Sequence, residues 1–320
     1  MTAKQEKTKR KCLCADSEET AKAMREKILA LALLSVLVST IFLSEEIAEA
    51  TRVGMTLCAR TVIPSVFPFM ILSGIVGAYA AFDSLPLLTR PFESLFHIHR
   101  CGITAFLSGI FCGFPLGVKC TVDLYRAGRL TKDEAERLIG FSNNTGPAFL
   151  VSAIGIGMRG AMRDGVLLYL TMVVSAVVVG ILCGIGHRAG DGGEVCTGEE
   201  FHLVTCIRDA GFNTLAVASY LTFFSVVTGL LARLLPSGTL LSFLFPFLEV
   251  GNAASYLATR SLLPPRVTLA LTAFATSFSG LSVHMQARHF LAGSGISMRR
   301  YYPMKLAQGL LAAGIAFLFA

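Results

Sequence analysis

Residues 28–44 read ILALALLSVLVSTIFLS, an apolar stretch without one charged side chain. Comparable runs recur at 61–82, 101–118, 138–158, 164–186, 211–232, 236–263, 267–287 and 306–320. Roughly 20 apolar residues cross the hydrocarbon core of a bilayer as a helix, so the pattern predicts an all-α polytopic membrane protein. Composition points the same way. The 320 residues are 53% hydrophobic and only 15% charged, where a soluble domain carries about 25% charged residues.

The net charge is +7, but the basic residues do not gather on a folded polar face as a nucleic-acid binder requires, so no nucleic-acid partner is expected. Lys4, Lys7, Lys9, Arg10, Lys11, Lys22, Arg25 and Lys27 all precede the first run. By the positive-inside bias they place a basic tail, 1–27, in the cytoplasm. The charged region is long and no small-residue cleavage site follows promptly, so this stretch reads as a tail and first span rather than a removable leader. Nine cysteines show no metal-ligand spacing. Cys58, Cys101, Cys112, Cys120 and Cys183 lie in or beside spans, as small apolar packing residues do. His97 and His99 in FHIHR match no common zinc site, and neither a metal nor a cofactor is expected.

Some runs cannot be straight helices. ITAFLSGIFCGFPLGVKC, 103–120, holds Gly109, Gly113, Pro115 and Gly117. Pro removes a helical hydrogen bond and Gly adds freedom, so a hairpin that re-enters on the same side is expected there. A second is expected near 238–263, interrupted around Pro246, Glu249, Gly251 and Asn252. Aligning Gly117 with Gly251 sets Gly146 on Gly280 and brings Ser142, Asn143 and Thr145 to Thr276, Ser277 and Ser279. This matched spacing suggests an internal repeat. If the spans cross in turn, Arg52, Arg60, Arg159, Arg163, Arg233, Arg260 and Arg266 fall outside, only seven of the 28 Lys and Arg residues. That bias favours inverted repeats, with Arg129 on the cytoplasmic face and Ser261 on the other.

GFSNNTGPAFL, 140–150, sets polar and helix-breaking residues inside an apolar run. In lipid, irregular backbone is tolerated only where protein or a water-filled cavity satisfies it, and inverted-repeat transporters use such breaks to bind substrate or ions. Asn143, Asn144, Thr145 and Gly146 would then line a polar cavity with Ser277, Ser279 and Gly280 of the second break. The other reading is a cap, with Asn144 or Thr145 capping a helix that begins at Pro147. His284 and Gln286 follow the second break; two positions apart, they lie on different helical faces, so one of them is expected to point inward. Glu249, the last side-chain carboxylate of the chain, and Asn252 complete the expected substrate-binding set. An ionised carboxylate at membrane depth costs at least about 2.5 kcal/mol and so usually faces a cavity or partner. The alternative sets Glu249 at a hairpin tip, in water or paired with Arg260.

Thr131 followed by Glu134 is a capping-box pattern that starts a short amphipathic helix near Lys132. It reads either as a solvated connector or as a docking element. The domain reading is therefore a tail, 1–27; a first transmembrane half, 28–186; a Gly- and Glu-rich cytoplasmic linker, 187–209; and a second half, 210–320. No phosphate loop, nucleophile elbow, metalloprotease helix or carboxylate pair occurs, so no catalytic residue and no enzyme activity are expected.

GFPLGVKCTVDLYRAGRLTKDEAERLIGFSNNTGPAFLVSAIG and, downstream, SFSGLSVHMQARHFLAGSGISMRRYYPMKLAQGLL resemble the YlbJ-type sporulation integral membrane family. That family is grouped with the nucleoside-recognition, or Gate-domain, membrane proteins. The resemblance runs from about residue 28 to 320. It implies a multi-pass protein of the bacterial cell membrane, in the mother-cell or outer forespore membrane, needed for spore cortex and resistance. It also implies kinship with the Gate segments of ferrous-iron permeases and with spore maturation membrane proteins. Concentrative nucleoside transporters, whose inverted repeats carry re-entrant hairpins, are more distantly similar. Their glutamine-threonine-glutamate-alanine-proline signature is absent here, with NNTGP and FSGLS at the corresponding breaks. The expectation is a transporter or permease-like component for a small polar, nucleoside-like solute; the alternative is a non-transporting scaffold for cortex assembly. Expected partners are the lipid bilayer, the solute, other sporulation membrane proteins and further copies of the chain.

Overall fold

A computed structural model describes residues 40–78, 85–190, 203–236 and 238–320, with scattered positions between 24 and 38. Most of the basic tail, seven positions of the 28–44 run and residues 191–202 of the expected linker lie outside the described residues. Residues up to Glu49 cluster as one unit and Ala50–Ala320 as another; every site discussed below lies in the second.

Every described element is helical. α1 (Ser44–Leu57) passes through a π turn at Cys58–Val62 into α2 (Ile63–Ala78), and α3 spans Pro86–Phe96. α8 (Met162–Gly184), α9 (Leu203–Leu234) and α14 (Tyr301–Phe319) are each long and apolar enough to cross a membrane. So is the stretch Pro265–Leu291. Their outward residues confirm the setting: Leu170, Val174 and Leu182 on α8, Leu215 and Phe223 on α9, and Leu310 and Phe317 on α14 are exposed. In water so many exposed apolar side chains would drive aggregation; against lipid they form the outer surface. The chain has the architecture of an integral membrane protein.

Two hairpins fold back on themselves. α4 (Gly102–Phe111) turns through Cys112–Pro115 into α5 (Leu116–Arg126), where Gly113 takes a left-handed φ of 89°. The feet meet where Cys101 Sγ donates to the Arg129 carbonyl at 3.3 Å. α10 (Thr239–Leu248) and α11 (Val250–Thr259) reverse at Glu249, whose backbone is extended. Their feet are joined by Gly238 N–H donating to Tyr256 Oη at 2.9 Å and by the Ser242 and Ser261 hydroxyls, 2.9 Å apart.

Each hairpin is followed by a helix that breaks and resumes. α6 (Lys132–Ser142) stops at Asn143–Gly146, and the chain resumes as α7, an 11-residue π-helix at Ala148–Met158. α12 (Pro265–Phe278) and α13 (Gly280–Leu291) meet at Ser279, a non-glycine residue at φ 80°.

α6 starts where the sequence predicts. Thr131 Oγ1 accepts from Glu134 N–H at 3.3 Å while Glu134 Oε2 accepts from Thr131 N–H at 2.9 Å. It is not a solvated connector, however. Its apolar face (Ala135, Leu138, Ile139, Phe141) continues without interruption into the core, and Glu134 and Arg137 are buried with it. Phe141 stacks on Phe96 with centroids 4.9 Å apart, within a cluster that includes Phe92 and Phe106. Two other boundaries also differ from the sequence reading. α9 begins at Leu203, inside the expected linker, and α14 begins at Tyr301 and draws Lys305 into the bundle.

Candidate functional site: the paired helix breaks

A helix interrupted inside lipid must satisfy the carbonyls and amides it frees. At the first break the chain recruits partners from far away. Lys305 Nζ donates to the Asn143 carbonyl at 2.7 Å and to Gln308 Oε1 at 2.7 Å. Gln308 Nε2 donates to Asn144 Oδ1 at 2.8 Å, and Asn144 Nδ2 donates back to the Phe141 carbonyl at 2.7 Å. Asn143 Nδ2 donates to Tyr301 Oη at 2.8 Å, and that oxygen lies 3.1 Å from His284 Nδ1. All these side chains are buried. Neither Asn144 nor Thr145 caps the helix that follows. Thr145 Oγ1 instead donates to the Thr276 carbonyl at 2.6 Å, joining the first break to the end of α12.

Both breaks meet a hairpin turn through a glycine. A Cβ on Gly146 would lie 3.2 Å from the carbonyl carbon and oxygen of Cys112, and one on Gly280 would lie 3.2 Å from those of Leu248. At that distance a Cβ would push the turn backbone away, and Gly280 also takes a left-handed φ of 59° that glycine adopts without strain. Beside these contacts is a cavity of about 60 Å³ whose wall is mostly apolar, with Leu57, Phe69, Phe149 and Leu221 among its side chains; Thr145, Glu249 and Gln286 are its polar members. Glu249 is 3% exposed and caps α11, its two oxygens accepting from Gly251 N–H at 2.9 Å and Asn252 N–H at 2.6 Å. Ser142 Oγ, Asn143 Oδ1, Ser277 Oγ, His284 Nε2 and Gln286 Oε1 are buried without a protein partner among the described residues. Of these residues, Gln286 lines the cavity and the other four lie at or beside the two breaks.

The structure therefore brings Thr145, Gly146, Glu249 and Gln286 to one cavity and gathers Asn143, Asn144 and His284 in an adjoining network. His284 and Gln286 are both buried, although two positions apart, because α13 is enclosed on two sides. Asn252 turns elsewhere: its Nδ2 donates to Ser225 Oγ at 3.1 Å and Thr228 Oγ1 at 2.8 Å, tying α11 to α9. Ser277 and Ser279 are buried at the second break, and Gly280 abuts Glu249 N at a Cβ distance of 3.3 Å. Among the described residues no cluster of His, Cys, Asp or Glu could hold a metal ion.

Sequence reasoning missed Tyr301, Lys305 and Gln308. Their spacing of i, i+4 and i+7 puts all three on one face of α14, a polar stripe readable once the helix is known to start at Tyr301.

One comparison with known proteins bears on this chain. The sporulation integral membrane protein YlbJ of Bacillus subtilis strain 168 is 29% identical to it over 134 residues, 42% of this chain and 33% of that protein. The aligned stretch thus spans about a third of that relative's own length. No family model matches the chain, and no solved structure matches it.

Proposed function

We propose that this chain is a transporter or permease-like component for a small polar solute, acting in the membrane of an endospore-forming bacterium during cortex formation. The sporulation role rests on the likeness to YlbJ. The transport role rests on one observation above all: two broken helices each abut a hairpin turn through a glycine, and beside them is a mostly apolar cavity with a glutamate, a threonine and a glutamine on its wall. In this reading the two hairpin-and-break sets are inverted repeats of the Gate type, and alternating access comes from rocking one against the other. The N-terminus is cytoplasmic, the membrane is that of the mother cell around the forespore, and no chemistry is assigned to the chain.

At about 60 Å³ the cavity has room for a few waters, far short of the roughly 300 Å³ that small-molecule pockets begin at. A nucleoside-like solute would therefore enter only as the repeats move apart.

The test compares the small-molecule contents of mother cell and forespore in sporulating cells with the chain, without it, and with Thr145→Val. Thr145→Val keeps shape but removes the hydroxyl on the cavity wall together with its bond to the Thr276 carbonyl. Transport predicts a polar solute that is misplaced between compartments without the chain and is not restored by an accumulating Thr145→Val protein. An unchanged solute distribution alongside a cortex defect would instead assign the chain a scaffolding role.

A further inference from the structure

A second cavity opens on the outside of the bundle, independent of the paired breaks. It is a groove of about 340 Å³ at the end of α8 and the start of α14. Along the groove run Leu182, Pro303 and Ala307, exposed residues of two membrane-length helices. At its head sit Arg137, His187 and Arg300, where the chain leaves α8 and enters α14.

Among the described residues the charges there do not balance. Asp133 meets two guanidinium groups and an imidazole: Arg300 donates to it at 2.6 Å, Arg137 at 3.0 Å, and His187 Nδ1 lies 3.1 Å away. Arg137 gives its other donors to the carbonyls of Phe96 at 2.9 Å and His97 at 2.8 Å. Arg300 is different. Its side chain is 47% exposed, with one guanidinium nitrogen engaged on Asp133, so the rest of its fork is available to a second anion. Two arginines, always protonated, thus face one carboxylate above a wall of apolar side chains.

We propose that this groove holds an anionic phospholipid of the surrounding bilayer. Its phosphate lies against Arg300 and His187, and one acyl chain runs down Leu182, Pro303 and Ala307. Arginine forks match phosphate oxygens in a bidentate manner, and basic pockets between membrane helices at the interface select acidic head groups. A free phosphate would satisfy the rim but leave the apolar wall uncovered; a lipid satisfies both. Bound there, the lipid joins the end of α8 to the helix that carries Lys305 and Gln308.

The full chain, purified in detergent, is offered phosphatidylglycerol or phosphatidylcholine and read by native mass spectrometry and by melting temperature. Phosphatidylglycerol is expected to be retained and to raise the melting temperature, while phosphatidylcholine does neither. Arg300→Gln should retain about fivefold less phosphatidylglycerol, the attraction of one basic residue at a membrane surface. Ala307→Phe, which fills the acyl path and leaves the cations alone, should lose retention as well while melting like wild type in phosphatidylcholine. Equal retention of the two lipids, or phosphatidylglycerol retention unchanged in both variants, would overturn the proposal. Equal stabilisation by free glycerol phosphate would also overturn it, because the site would then be one for a soluble anion.

Discussion

Lys305 Nζ donates to the main-chain carbonyl of Asn143, 2.7 Å away in space and 162 positions away in sequence. The lysine is 0% exposed, and among the described residues no carboxylate lies within ion-pair distance of it. An ammonium buried without a counter-charge is costly, and ionisable groups inside membrane segments are usually functional. Here the acceptors are the freed carbonyl of a broken helix and the Gln308 amide oxygen. The Nζ donors therefore serve the break rather than an ion pair.

Lys305→Met tests what that charge does. Methionine fills a similar volume, removes the buried charge, and leaves Asn143 O and Gln308 Oε1 without this donor. The orphaned acceptors cost about 1–3 kcal/mol each, offset by relief from burying an ammonium. The protein should reach the membrane at near-normal level and melt within several degrees of wild type, while spores lose heat resistance. Normal resistance in an accumulating variant would remove Lys305 from the working site.

Glycine contacts hold the first hairpin onto α6. A Cβ at Gly109 or at Gly117 would run into the Ser142 carbonyl, immediately before the break, whereas one at Gly314 on α14 meets nothing within 4 Å. Overpacking of this kind typically costs 1–3 kcal/mol, and a backbone obstacle cannot rotate away. Gly109→Ala should lower membrane accumulation and melting temperature sharply. Gly314→Ala should leave both unchanged, which the same thermal-shift series checks.

Glu134, in the first turn of α6 ahead of the 138–158 apolar run, is a buried carboxylate outside the membrane segments. Burial alone would raise its pKa, but donors from Gly190 N–H at 2.9 Å, Thr131 N–H at 2.9 Å, His99 N–H at 2.7 Å and the Thr131 hydroxyl at 2.8 Å outweigh it and hold the carboxyl below its ordinary value. A carboxylate depressed in the folded state stabilises above its unfolded value, about 4.5. That stabilisation is lost as pH falls through the lower folded value. Between pH 7 and 5 the difference in melting temperature between wild type and Glu134→Gln should therefore be constant, and it should shrink below about pH 4.5. Asp133 titrates nearby; burial raises its pKa, but Arg300, Arg137 and His187 outweigh this and lower it. The difference between wild type and variant isolates Glu134. A constant difference down to pH 3 would show that the cage does not depend on the charge.

The sequence made the breaks legible because glycine, proline and asparagine are conspicuous in an apolar run, and it placed the start of α6 through the reciprocal Thr131–Glu134 pattern. It could not reveal what completes the breaks. Lys305 looks like a loop charge when spans are drawn by hydropathy, and its partner at Asn143 is remote in sequence. Helix rotation was equally hidden: Asn252 sits next to the cavity in sequence but faces Ser225 and Thr228 of α9. The aligned glycines divide as well. Gly146 and Gly280 meet hairpin turns in the same way, whereas Gly117 faces the Ser142 carbonyl and Gly251 lies against Leu57.

The inverted-repeat proposal has a direct topological consequence: the feet of the two hairpins lie on opposite sides of the membrane. Arg129 is 7% exposed and a poor labelling position, but Lys132 is exposed one helix start away and Leu262 is 83% exposed at the second foot. Lys132→Cys should react with an impermeant maleimide only from the cytoplasmic side and Leu262→Cys only from the other, in a background without the nine native cysteines. Reaction of both from one side would end the inverted-repeat reading.

Glu249 carries two duties that a substitution must separate. Its oxygens accept from Gly251 and Asn252 N–H at the start of α11, and its carboxylate walls the cavity opposite Thr145 and Gln286. Glutamine offers one acceptor oxygen instead of two, so Glu249→Gln leaves one of those amides unpaired. The capping loss alone is about 1 kcal/mol, a shift of a few degrees for a chain this size. Asn252→Ala supplies the matched control. It breaks two hydrogen bonds to α9, of comparable worth, and leaves the carboxylate and its cap in place. If Glu249 is a coupling or solute-binding group, Glu249→Gln spores lose heat resistance while Asn252→Ala spores keep it at similar protein levels. Resistance retained in both would make the carboxylate a cap alone, and equal failure in both would trace the defect to stability.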